Sequence, residues 1–171
     1  MKCWCAGCAS GEEVYTLAIL WHANVRPQFP GIELEIVATD ADPVMIARAR
    51  RACYGPGSLR DMPPDWLNQA FDKFNGAYCV AAQHRQHVVF LIQDIREEMP
   101  KGPFDLVLCR NLVFTYFDAS SQSDILKKTL ARLRPGGCVV IGAHEQLPER
   151  DRKLIALKGC PAIFHQSKRN R

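Results

Sequence analysis

No apolar run among these 171 residues approaches the length of a membrane-spanning helix, which takes roughly 18 or more consecutive apolar positions. Insertion into a membrane through such a helix is therefore not expected. After Met1-Lys2 there is no basic leader, no apolar core and no small-residue cleavage site, so the sequence shows no secretory signal and the cytoplasm is the expected compartment. No stripe of Lys and Arg is interleaved with aromatics. The one dense basic cluster besides the terminal "HQSKRNR" is "RARRAC", which fits the solvated face of a helix. The net charge of +4 thus does not point to nucleic acid. The terminal stretch is expected to fray. Internal repeats and low-complexity segments are also missing.

Cysteine is plentiful, at eight residues, but a second C-x-x-C is lacking. Cys3, Cys5 and Cys8 crowd together with no matching pair downstream, which argues against zinc, and no metal is expected. Without a secretory signal, a disulfide framework is not expected either. Cys3 and Cys5 alternate onto one face of a strand, where cysteine serves as a small core residue.

What is present reads as one domain with a real core, at 47% hydrophobic residues. Strand and helix patterns alternate. "KCWCAG" is a buried strand, and "GEEVYTLAILWHAN" a helix with Val14, Leu17, Ala18 and Trp21 on one stripe. "PGIELEIVATD" is a strand entered through a Pro-Gly turn. "DPVMIARARRA" is a helix with Asp42 as N-cap and Pro43 at its first position. "HVVFLIQDI" and "FDLVLCRN" are strands, "SSQSDILKKTLARLRPGG" is a helix stopped by Pro-Gly-Gly, and "CVVIGAHE" is a last strand. This alternation predicts an α/β fold with a mostly parallel sheet. One stretch, Tyr54–Gln86, is too long for a simple connection. It reads as an inserted subdomain on the sheet's rim, with a short helix at Pro64–Phe71 and a strand-like "AYCVA" that offers an exposed edge. Trp66, Phe71 and Phe74 suggest that part of it packs inward.

In an open α/β sheet, ligands bind beyond the carboxyl ends of the strands. Four predicted strand ends here carry polar groups. The first runs into "AGCASGEE", where Gly7 and Gly11 permit close backbone approach and a helix N-terminus follows. The second ends in "ATDAD", with Asp40 at the tip; a carboxylate there can accept from both hydroxyls of a ribose. The third ends in "IQDI", with Asp94, and the fourth in "CRN", with Arg110 and Asn111. A nucleotide-like ligand fits a crevice built this way.

The segments "WCAGCASGEEVYTLAI", "ATDAD", "GPFDLVLCRNLVFTYFD" and "LRPGGCVVIGAHE" resemble the catalytic domain of the chemotaxis-receptor methyltransferases, the CheR family of S-adenosylmethionine-dependent enzymes. The resemblance runs from about Cys3 to Glu145 and weakens beyond. It implies a Rossmann-like class I methyltransferase sheet with a small inserted subdomain at about 54–86. It also implies S-adenosylmethionine as cofactor, with S-adenosylhomocysteine as product. Ala6 and Gly7 are then expected at the cofactor's amino-acid portion, with Glu13 and Asp40 around its ribose and methionine parts. Asp94 and Ile95 are expected at the adenine, and Arg110, Asn111 and Leu112 near the sulfonium. Arg110 and Tyr116 are the expected catalytic residues. The implied reaction is direct methyl transfer to a glutamate of a protein such as a chemoreceptor, with the inserted segment choosing that protein.

The sequence departs from the family pattern in three places. These residues do not include the family's helical N-terminal domain, so the expectation is either that the chain is a fragment or that a partner chain supplies the lid. "NLVFTYFD" has one residue more between Asn and Tyr than the family's usual spacing, and Asp94-Ile95 stands where many members carry Asn-Leu. Arg110, with a planar fork matched to two carboxylate oxygens, suits the steering of a glutamate, but an ion pair within the sheet is the competing role. His144 and Glu145 are expected to be structural or to border the substrate. Two other functions stay open: methylation of another nucleophile, and a non-catalytic module that senses the cofactor or its product.

Overall fold

The computed structural model describes residues 1–148 and 154–167. Its first strand, β1 (Lys2–Ala6), is the middle of the structure. Cys3, Trp4 and Cys5 have no exposed surface. A strand paired in parallel on both sides and covered on both faces reads as a continuous apolar run rather than an alternating one. Its partners are β2 (Glu35–Asp40) and β7 (Phe104–Leu108). The indole N–H of Trp4 donates to Thr39 Oγ1 at 2.9 Å, which satisfies the only polar atom of that buried side chain.

Among the described residues seven strands form the main sheet, in the order β6-β2-β1-β7-β8-β10-β9. Strand β6 (Val88–Ile92) pairs in parallel with β2, and β8 (Leu133–Val140) in parallel with β7. The last two, β9 (Leu154–Leu157) and β10 (Cys160–Gln166), add antiparallel. This hairpin did not emerge from the sequence pattern, because Pro161 and the part-exposed positions of β10 blur its alternation. Of the stretch expected to fray, His165 and Gln166 belong to β10, whereas residues 168–171 lie outside the described residues.

Helix α1 (Glu12–Leu20), which continues as a π-helical turn over Trp21–Val25, covers one face together with α2 (Pro43–Arg51). Val14, Ala18 and Trp21 are buried and Leu17 packs beside them, the stripe that the periodicity predicts. Asp42 caps α2 by accepting from the Val44 amide at 2.7 Å, with Pro43 in the first turn. The opposite face holds α6 (Ala119–Leu130), whose Ile125, Leu126 and Leu130 pack with Trp4, Val107 and Val139. That helix ends earlier than the sequence suggests. The Pro-Gly-Gly expected to stop it lies inside β8, where the pairing with β7 shifts register between Phe104 and Leu106. Gly136 there takes a positive φ of 82°, so the bulge rather than the helix end uses the glycine. No helix among the described residues is long and apolar enough to cross a membrane.

Between α2 and β6 the chain builds a second, antiparallel sheet. Strands β3 (Cys53–Tyr54), β4 (Phe71–Phe74) and β5 (Ala77–Val80) pair in the order β3-β5-β4. Helix α3 (Pro64–Ala70) precedes β4, and α4 (Ala82–Arg85) leads into β6. The exposed edge expected at "AYCVA" is not there. Strand β5 is central, paired on both sides, because two short flanking segments, unremarkable in sequence, close on it. Phe71 is buried and Trp66 half-buried, while Phe74 at the hairpin end is 66% exposed. Cys53 and Cys79 face each other in the β3–β5 register and form a disulfide, a single bridge where no disulfide framework is expected from the sequence. The pairing arises because strand register brings together residues separated by 26 positions.

Candidate functional site

The chain leaves β1 at Ala6 and turns sharply. Gly7, Ala9 and Gly11 all take positive φ, at 69°, 45° and 89°. The turn is tied to the neighbouring strand. The amides of Gly7 and Cys8 both donate to the Thr39 carbonyl, at 2.8 and 2.9 Å, and the Ala9 amide donates to Asp40 Oδ2 at 2.8 Å. The other oxygen of Asp40 accepts from the Asp42 amide at 2.9 Å. A carboxylate offers about four lone-pair sites, so Asp40 is held by two backbone amides and keeps further acceptor capacity. Gly7 is required twice. Its φ is left-handed, and a Cβ there would lie 2.6 Å from Leu112 Cδ2. The β1 and β7 loops therefore touch.

At the β7 tip, the Arg110 guanidinium donates through Nη1 to Glu13 Oε2 at 2.7 Å, with the two side chains 42% and 23% exposed. Asn111 takes a left-handed φ of 52°. Its amide donates to Glu145 Oε2 at 2.9 Å, and that same oxygen accepts from the Gly142 amide at 2.6 Å. The Thr115 hydroxyl donates to Glu145 Oε1 at 2.6 Å. Glu145 thus ties the strand ends of β7 and β8 together. A Cβ at Gly142 would lie 2.4 Å from Asn111 Oδ1, so that side chain rests on bare backbone. His144 is exposed.

At the β6 tip, the Gln93 amide donates to the Asp40 carbonyl at 3.0 Å. Asp94 accepts from the Arg96 amide at 2.9 Å, and both its oxygens are engaged by the Arg96 guanidinium. These hydrogen bonds from Arg96 hold the Asp94 carboxyl below the usual carboxylate range. Ile95 is buried in the core beside Met99 and Val37. The side-chain oxygen of Gln93 is buried without a hydrogen-bond partner among the described residues.

These contacts link Ala6, Gly7, Glu13, Asp40, Arg110, Asn111 and Leu112 into one assembly at the strand ends, with Asp94 and Ile95 joined through Gln93. Tyr116 stands apart. It ends the short helix α5 (Val113–Tyr116) and is 74% exposed. The sequence did not single out Thr39, whose carbonyl anchors the turn, and for Glu145 it allowed a structural role without the partners that its clamp holds. A threonine inside an apolar strand and an acid after a strand are the faint signals they leave.

The residues present fit S-adenosylmethionine. Asp40 retains acceptor capacity for a vicinal diol, Gly7 is bare backbone in the turn after β1, and Glu13, one oxygen of which accepts from Arg110, has a second oxygen for a further donor. Asp94, occupied by Arg96, has less freedom to meet an adenine amino group, and Gln93 beside it supplies an unpaired acceptor.

A sheet of five parallel strands ending in an antiparallel hairpin, with polar groups at the strand tips, defines a Rossmann-like class I methyltransferase fold. The glycopeptide N-methyltransferase MtfA shares it at a TM-score of 0.53 over 82% of this chain and 49% of its own, at 13% identity. The profile described as "CheR methyltransferase, SAM binding domain" matches residues 1–163, and the chain belongs to that family. It is 31% identical over 147 residues to a chemotaxis protein methyltransferase of Listeria innocua, covering 86% of this chain and 54% of that protein. It is 33% identical over the same length to an uncharacterized 104.1 kDa protein of Rhodobacter capsulatus, of which it covers 15%. The chain spans about half, or far less, of these longer relatives.

Proposed function

We propose that this chain binds S-adenosylmethionine across the tips of β1, β2, β6 and β7. We propose further that, within the longer proteins of its family, such a domain methylates glutamate side chains of a protein, a chemoreceptor being the class its relatives indicate. The observation that carries the reading is Asp40, held by the Ala9 and Asp42 amides at the edge of a glycine turn with acceptor capacity left for a ribose. When bound, the cofactor supplies a methyl group on a sulfonium, electrophilic without further activation.

The chain's own residues bind and orient. Asp40 accepts from the ribose, and the turn at Ala6–Gly7 takes the amino-acid portion. Glu13 places its carboxylate near positive charge. One of the five N–H donors of Arg110 is used on Glu13, and the others remain for a substrate carboxylate. A glutamate is ionised at pH 7, so no general base is required, and orientation with exclusion of water is the work left to the protein. Tyr116 lies nearest the protein substrate in this scheme. The cytoplasm is the compartment we assign, and the segment Tyr54–Gln86 is the part that meets the substrate.

Incubation with methyl-labelled cofactor and candidate proteins tests this. Base treatment should release the label as methanol, the mark of a carboxyl ester. A base-stable label means a different nucleophile, and tight cofactor binding with no label transferred in any longer form means a sensor.

A further inference from the structure

The turn after β1 is held in two halves by different parts of the molecule. Its front half, Gly7 to Ala9, hangs on Thr39 and Asp40 of β2. Its back half is held from the inserted segment. The hydroxyl of Tyr54, in β3, donates to the Ser10 carbonyl at 2.8 Å across a buried contact. Tyr54 is 6% exposed, and its ring meets that of Tyr15 edge-on at 6.3 Å. Gly11 lies directly under it: a Cβ there would stand 3.2 Å from the Tyr54 hydroxyl and 2.9 Å from Ala49 Cβ. Ser10 sits between Ala9 and Gly11, both at positive φ. The turn closes on itself through one bond, from the Gly11 amide to the Cys8 carbonyl at 2.9 Å, but the positive φ at Ala9 is not favoured locally, so outside partners contribute to its shape. Tyr54 is the partner on the Ser10 side, and it belongs to a two-residue strand whose other residue, Cys53, is bonded to Cys79 of β5.

We infer that Tyr54 is a positioning residue for the cofactor: by holding the Ser10 carbonyl it fixes the shape of the Gly7–Gly11 turn, and it makes the inserted sheet a determinant of cofactor affinity. The inference rests on the reading that this turn binds S-adenosylmethionine. The protein-facing segment and the cofactor turn are thereby joined by one hydrogen bond between a side chain and a main-chain carbonyl, and movement of β3 is transmitted to the turn.

Removing only the donor tests this. Tyr54→Phe keeps the ring packing and leaves the Ser10 carbonyl unpaired. Tyr15→Phe is the control for loss of a buried hydroxyl, because Tyr15 is also buried but its hydroxyl donates to the Ala49 carbonyl at 2.9 Å and not to a carbonyl of the turn. Affinity for S-adenosylhomocysteine is measured by calorimetry, and melting temperature is measured without ligand. Tyr54→Phe should bind about tenfold more weakly, the order expected for one buried hydrogen bond, and Tyr15→Phe should lower the melting temperature while binding as the wild type does. Equal affinity for Tyr54→Phe and wild type overturns the inference, as does an equal loss in both variants, which marks general loosening. If the wild type itself does not bind S-adenosylhomocysteine, the cofactor reading fails and takes this inference with it. Should Tyr54→Phe not fold, 3-fluorotyrosine is placed at position 54 of the otherwise unaltered chain. Its fluorine resonance should shift on addition of S-adenosylhomocysteine, and by more than one at position 15, whose ring meets that of Tyr54; an unmoved resonance at 54 overturns the inference.

Discussion

Arg110 donates to Glu13 across the mouth of the strand ends, joining residues 97 positions apart in the chain at 2.7 Å. The two roles that the sequence allows for Arg110, an internal ion pair and a carboxylate fork, are compatible, because a guanidinium has donors for both. Being partly exposed, the pair contributes only about 0–1 kcal/mol to stability. Arg110→Ala should therefore melt close to the wild type yet, without the fork offered to a substrate carboxylate, methylate a protein target less well, by an amount equivalent to roughly 1.5–3 kcal/mol for a lost charged contact. Scanning fluorimetry and a labelled-methyl transfer assay give both numbers, and a large melting shift with unchanged transfer would reverse the assignment.

Asp40 has two tasks, holding the Ala9 amide and accepting from the ligand. Asp40→Ala should weaken S-adenosylhomocysteine binding by about 1.5–3 kcal/mol. Asp40→Asn, which keeps one acceptor oxygen, should fall between it and the wild type. Identical affinities for all three proteins would remove Asp40 from the site.

His84 is buried beside His22, with their Nδ1 atoms 3.3 Å apart and His87 stacked on His22. Burial first, and the neighbouring His22 second, lower the His84 pKa below its ordinary value. The unfolded chain then binds the proton more readily, so stability rises with pH in this range. The contribution is complete above about pH 6.5, the unperturbed value, and is lost as pH falls from there toward the folded-state value. Melting temperature should drop between pH 7 and pH 5, and His84→Gln should flatten that drop; an unaltered slope would point to other groups.

The Cys53–Cys79 bridge closes a loop of 26 positions. Chain-entropy reasoning assigns such a loop about 3 kcal/mol of stabilisation. A thiol reductant, or the double change Cys53→Ser with Cys79→Ser, should lower the unfolding midpoint in denaturant accordingly. In a reducing compartment the two thiols stay separate, so alkylation of freshly lysed cells followed by mass spectrometry will report which form the cell maintains. A midpoint insensitive to reductant would mean that the small sheet does not depend on the bridge.

Much of the fold was legible because its signals are local. The unbroken apolar run of β1, the stripe of Val14, Ala18 and Trp21, and the Asp42-Pro43 cap of α2 each follow from neighbours within one or two turns of chain. The polar strand ends could be named for the same reason: Gly7, Asp40, Asp94 and Arg110 stand where predicted strands stop.

What only the tertiary structure decided lies between elements distant in sequence. The position of β5 between β3 and β4, the Pro-Gly-Gly inside β8, and the β9–β10 hairpin depend on which strands meet, and short strands carry too few residues to announce their partners. The same holds in the site. The sequence by itself determined which side chains reach the strand ends. It could not say that Arg96 occupies Asp94, that Glu145 clamps Asn111 to Gly142, or that Tyr54 reaches Ser10 across 44 positions. Hydrogen bonds act over about 3 Å, and only folding brings such groups within that distance.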